Sequence, residues 1–262
     1  LRSLDGQKYG AYKRLKGMYQ FRQFRLAIDH AQVDPYAPPS KMRVIMNRET
    51  ANIPDNLLDS KNKIVAVSDF LARTFKESIE SLKHNDKHAK SARNISIDRC
   101  GQEILERTAV VINKQDIEVR LEISLPAAGR KILGKVAANI LIDTLPEIVE
   151  HALLYKNIDQ AALKTQVTLM LDQAFIREEL ERRQLVSFVA NGSILPRKSG
   201  VSDKQLSGAV AFNSPENVEV ELSLPSGKTI TGMGVPQGIT LIVGGGFHGK
   251  STILEALERG VY

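Results

Sequence analysis

The 262-residue sequence has a single cysteine, Cys100, and no tryptophan. One thiol excludes an intrachain disulfide and suits a reducing compartment such as the cytoplasm. Cys100 has no CxxC partner and reads as an inert thiol. Long hydrophobic runs are also lacking. No stretch approaches the roughly 20 apolar residues that a membrane helix needs, so no membrane partner is expected. The opening, LRSLDGQKYGAYKRLKG, has no uninterrupted apolar segment of the secretory kind. Leucine stands at position 1, and the chain stops just after the helix-like run in GKSTILEALERGVY begins. Both ends are what a piece of a longer protein would show. Histidine is scarce. His84 and His88 have the i, i+4 spacing of a helical zinc pair, but Asn-Asp-Lys lies between them and no third ligand is evident. A polar loop is the expected setting for both.

What the chain has is unevenly spread. The net charge is +6, and residues 1–46 hold nine Lys/Arg against three Asp/Glu. The same segment carries Tyr9, Tyr12, Tyr19, Phe21, Phe24 and Tyr36. Basic charge interleaved with rings is one footprint of nucleic-acid binding. Lys13, Arg14, Lys16, Arg22 and Arg25 are the candidate phosphate contacts. The competing reading is an ordinary N-terminal unit with rings in its core and cations in solvent.

Periodicity places the elements. Short strands are expected at FRLAID and MRVIM. A helix capped by Ser68 or Asp69 should run to Leu82, with Leu71, Phe75, Ile79 and Leu82 on one face. TAVVI and the alternating IEVRLEISL predict a hairpin across NKQD, with Ile117, Val119, Leu121, Ile123 and Leu125 on one side. A helical region follows from about Lys131, interrupted by Pro146. A second helix should run from an Asp159 cap to Ala190, stopped by Asn191-Gly192. Beyond it lie a Gly/Ser-rich loop, the strand VEVELSL, the turn PSGK, and ITLIV, a continuous apolar run of the kind buried in a parallel sheet. The domains expected are 1–162 and 163–262.

Residues 243–252 read VGGGFHGKST. Gly244, Gly249, Lys250 and Ser251 satisfy G-x-x-x-x-G-K-[ST], between an apolar strand and a helix. Glycines let successive N–H groups turn inward as an anion nest, and the opening of a helix adds free N–H groups of its own. Lys250 would reach the β- and γ-phosphates of ATP. The Ser251 hydroxyl would ligate Mg²⁺, and Thr252 would lie near the α-phosphate. Gly245, Gly246, Phe247 and His248 fill the variable positions, with His248 expected to face solvent.

GMGVPQGITLIVGGGFHGKSTILEALERGVY resembles the predicted ATPases of the ABC class. LDGQKYGAYKRLKG, IDHAQVDPYAPPSKMRV, GQEILERTAVVI, LPAAGRKILGK and LPRKSGVSD resemble the same family. The resemblance implies an α/β architecture: an ABC-type P-loop nucleotide-binding domain, only its N-terminal part present, preceded by an α+β N-terminal domain. It implies ATP and Mg²⁺ as ligands, hydrolysis in the intact protein between two protomers of a homodimer, and catalytic residues beyond Tyr262. Phe212 is a candidate for stacking on adenine, with a core role as the alternative. Arg197 and Lys198 could meet the phosphates of nucleotide or RNA. An RNA-binding protein that uses ATP as a conformational switch is the alternative function.

Overall fold

The computed structural model describes residues 1–84, 88–98 and 100–260. The chain divides into two compact units, Leu1–Val167 and the residues from Thr168 onward.

The first unit is built on an antiparallel sheet. Its strands are β1 (Gly17–Gln20), β2 (Arg25–His30), β3 (Ser40–Asn47), β4 (Ile95–Ser96), β5 (Val110–Ile112) and β6 (Asp116–Ile123). The order is β1-β2-β3-β6-β4, with β5 also paired to β6. FRLAID, MRVIM and the β5–β6 hairpin fall where alternation predicts them. The hairpin turn is held by the Asn113 side chain, which accepts from the amides of Gln115 and Asp116. On one face Ile117, Val119, Leu121 and Ile123 are buried, and their register partners Met46, Val44 and Met42 are buried with them. On the other face Arg43 spans Asp29 and Glu118, each at 2.7 Å. The Arg43 hydrogen bond holds the Asp29 carboxyl below its ordinary pKa.

Two four-residue helices, α1 (Arg48–Ala51) and α3 (Ala89–Ala92), flank the long α2 (Lys61–Lys83), which packs on β5. Leu71, Phe75, Ile79 and Leu82 are all buried, as their spacing predicts. The cap differs. Ser60, not Ser68 or Asp69, accepts the Lys63 amide at 3.5 Å. Ser68 and Asp69 lie inside the helix and are buried. Asp69 is engaged instead by Arg73, Arg107 and Gln166. A two-residue hairpin, β7 (Ala127–Ala128) with β8 (Lys131–Ile132), leads into α4 (Gly134–Ala138). A π turn at Asn139–Thr144 joins α4 to α5 (Leu145–Leu153), which packs against α2. Pro146 therefore does not interrupt the helical region. It sits in the first turn of α5, just past the wider π turn, where a missing N–H costs least.

One further correction concerns a histidine. His88 is not on a solvated loop. It is buried, with Nδ1 at 3.0 Å from Thr144 Oγ1 and Nε2 at 3.0 Å from Glu147 Oε2. Residues 85–87 of the expected polar loop lie outside the described residues. Three of the six N-terminal rings are core, as the reading of an ordinary N-terminal unit has it. Tyr9 and Tyr12 are buried edge to face at 5.0 Å, and their hydroxyls donate to the carbonyls of Leu125 and Pro126. Phe24 is buried with Phe21 stacked on it at 4.6 Å, while Tyr19 and Tyr36 are exposed.

Helix α6 (Gln160–Arg182) begins at the expected cap, where Asp159 accepts the Ala162 amide at 2.9 Å. It does not reach Ala190. Gln184 turns left-handed at φ +55°, and Leu185–Ala190, rich in β-branched and aromatic side chains, forms strand β9. Asn191-Gly192 thus follows a strand rather than ending a helix. A hairpin of β10 (Arg197–Ser199) and β11 (Ser202–Gln205) occupies the Gly/Ser-rich segment. Strands β12 (Glu219–Ser223) and β13 (Thr229–Pro236) complete an antiparallel sheet in the order β12-β13-β9. ITLIV, residues 239–243, is not a buried strand. Among the described residues no strand pairs with it, and Ile239, Leu241 and Val243 are exposed. An apolar run gains nothing from extended structure unless neighbouring strands take its N–H and C=O groups.

Candidate functional site

The glycine-rich loop lies between β13 and the last helix, α7 (Lys250–Arg259). Gly249 caps α7 from the left-handed region, at φ +78°. A Cβ there would meet the carbonyl-crowding penalty that glycine escapes. Phe247 takes φ +62° with its ring in solvent, an uncommon setting for an aromatic.

The polar groups of the loop divide into two sets. Gly245 N–H donates to His248 Nδ1 at 3.1 Å, so His248 folds back onto the loop rather than facing solvent alone. The Lys250 ammonium donates to the carbonyls of Gly244, at 2.7 Å, and Gly245. The second set is unengaged. Among the described residues, the amides of Gly246, Phe247, His248, Lys250, Ser251 and Thr252 have no acceptor, and no carboxylate pairs with Lys250. The first amide of α7 with an acceptor beyond these is Ile253 N–H, which donates to Gly249 at 3.0 Å. Free amides at a helix opening, with a lysine beside them that no carboxylate pairs, suit an anion.

Two models of one protein family match the chain end to end. The N-terminal domain of ATPases of the ABC class matches residues 1–156, and the ABC ATPase P-loop domain matches residues 159–262. The chain belongs to the ABC-class ATPases. An uncharacterized protein of Methanocaldococcus jannaschii is 29% identical over 126 residues, covering 41% of this chain and 27% of that protein. The chain thus aligns with about a quarter of the length of that relative. Nucleotide binding is what a P-loop ATPase family implies. No helix among the described residues is long and apolar enough to cross a membrane, which fits the absence of an apolar span in the sequence.

The other expected site residues of this ABC-class chain fall in both units. Lys13, Arg14, Lys16 and Arg22 are exposed around β1 in the first unit. Arg25 is paired with Asp116 at 3.2 Å. Arg197 and Lys198 lie on β10 in the second unit, with Arg197 donating to Ile194 O at 3.3 Å. Phe212 is half-buried, its backbone paired with Gly192 and Ser193. His84 is exposed and His88 buried, and no group of three metal-ligating side chains occurs among the described residues. Burial raises the thiol pKa of half-buried Cys100, which weakens it as a nucleophile. The His248–Gly245 contact was beyond sequence reasoning, since spacing does not report a rotamer.

Proposed function

We propose that residues Gly244–Thr252 bind the phosphate tail of ATP with Mg²⁺. The observation that supports this is the row of unengaged amides from Gly246 to Thr252 beside Lys250, at the opening of α7. In this reading Gly244, Gly245, Gly246, Phe247, His248 and Gly249 present backbone N–H groups to the β- and γ-phosphates. Lys250 exchanges its two carbonyl contacts for phosphate oxygens. The Ser251 hydroxyl, exposed in the first turn, holds Mg²⁺, and Thr252 stands near the α-phosphate. The bound nucleotide supplies the phosphoryl group, and this chain's part is to hold and neutralise it. Hydrolysis is the proposed activity of the whole protein, with two copies paired, in a reducing compartment. Calorimetry and thermal denaturation with Mg²⁺ and a slowly hydrolysed ATP analogue test the binding. At an analogue concentration of about 100 times Kd the stabilisation expected is about 2.7 kcal/mol. Lys250→Ala should abolish it, and equal stabilisation of both proteins would refute the reading.

A second reading concerns RNA. Lys13, Arg14, Lys16 and Arg22 are exposed beside exposed Tyr19, and among the described residues none of the four is ion-paired. Single-stranded RNA bound there should lose affinity with salt at a log–log slope near −0.7 per phosphate neutralised. Reversing the four charges should flatten the slope. Unchanged binding by that variant excludes the surface.

A further inference from the structure

His248 Nδ1 accepts the Gly245 N–H at 3.1 Å. The ring lies so close that a Cβ added at Gly245 would meet His248 Cε1 at 3.1 Å and Nε2 at 3.3 Å, so any larger residue there would make the imidazole give way by a few tenths of an ångström. Lys250 turns toward the same stretch and donates to the carbonyls of Gly244 and Gly245. The carbonyl of Gly244 and both backbone polar groups of Gly245 are therefore held by side chains from the far end of the loop, while the amides from Gly246 to Thr252 are unengaged. A phosphate oxygen that takes the Gly245 amide must displace the imidazole. We propose that His248 is a displaceable latch on the phosphate loop: it holds the Gly245 amide in this conformation and lets go when a polyphosphate claims it. The proposal rests on the reading of the loop as the phosphate site.

A charged phosphate oxygen is a stronger acceptor than a neutral imidazole nitrogen, so the latch yields, but the net gain is reduced by the bond it gives up.

The test is calorimetric binding of Mg²⁺ and a slowly hydrolysed ATP analogue to the wild-type chain, His248→Ala, His248→Gln and Lys250→Ala. His248 is exposed, so its variants should keep the wild-type melting temperature. His248→Ala should bind about fivefold tighter than wild type, the worth of roughly one hydrogen bond. His248→Gln keeps a side-chain acceptor and should bind less tightly than His248→Ala. Equal or weaker binding by His248→Ala than by wild type overturns the latch while leaving the phosphate site standing. Failure of the wild-type chain to bind, or binding that Lys250→Ala retains in full, overturns the site and the latch together.

Discussion

Asp69 has no exposed side-chain surface, yet it sits in mid-helix with a full set of donors. Arg73 Nε and Arg107 Nη1 each approach at 2.6 Å, and Gln166 Nε2 at 3.1 Å. The carboxylate thereby ties α2 to the segment before β5 and to the start of α6. Removing one partner of a buried ion pair strands the other, which costs about 3–5 kcal/mol. The arginines here keep some contact with water, so about 3 kcal/mol is expected for Asp69→Ala in urea denaturation. Tyr9 offers a pH test. Burial, with a smaller contribution from the Asp34 charge, pushes its phenol up to about 12, and burial moves Tyr12 the same way. Unfolded phenols ionise near 10. The folded state thus keeps protons that the unfolded chain gives up. The stabilisation is whole below about pH 10 and is lost as pH rises through the folded value. In Tyr9→Phe the fall in melting temperature between about pH 10 and 12 should be shallower than in wild type, measured by circular dichroism.

Elements that bury one regular face were legible. The period of two in β6 and the period near 3.6 in α2 each report a face pressed on the core, and Ile117, Val119, Phe75 and Ile79 are buried accordingly. The start of α2 was missed because its first turn, from Lys61, is polar and shows no period. The end of α6 was missed because no glycine or proline marks it, and Gln184 adopts the left-handed turn instead. The spacing of Gly244, Gly249, Lys250 and Ser251 made the candidate loop readable, since the chemistry constrains residue types there. Residues 239–243 escaped because an apolar run states a need for burial, not its fulfilment. Ile239, Leu241 and Val243 stand in solvent, and an exposed extended apolar segment invites pairing between molecules. Leu241→Lys should therefore lower self-association of this chain in light scattering without lowering its melting temperature. Unchanged self-association would show that the segment makes no contact between molecules.

The two compact units differ most in how much apolar surface each buries. Among the described residues after Thr168, the buried apolar side chains are Met170, Val189, Leu222 and Val235. The first unit holds the rest of the buried apolar set, including Tyr12, Phe75, Leu71 and the inner faces of β3 and β6. Apolar burial is the main favourable term against chain entropy. The second unit, which carries the glycine loop and α7, should therefore open at lower denaturant than the first. Urea denaturation is expected to show two steps, with hydrogen exchange assigning the earlier one to β9, β12, β13 and α7. A ligand that binds only the folded second unit shifts only that unit's transition. Mg²⁺ with the ATP analogue should move the early step to higher urea and leave the late step in place, and Lys250→Ala should remove the shift. One coincident transition that moves as a whole with nucleotide would instead mean that the two units unfold as a single cooperative body.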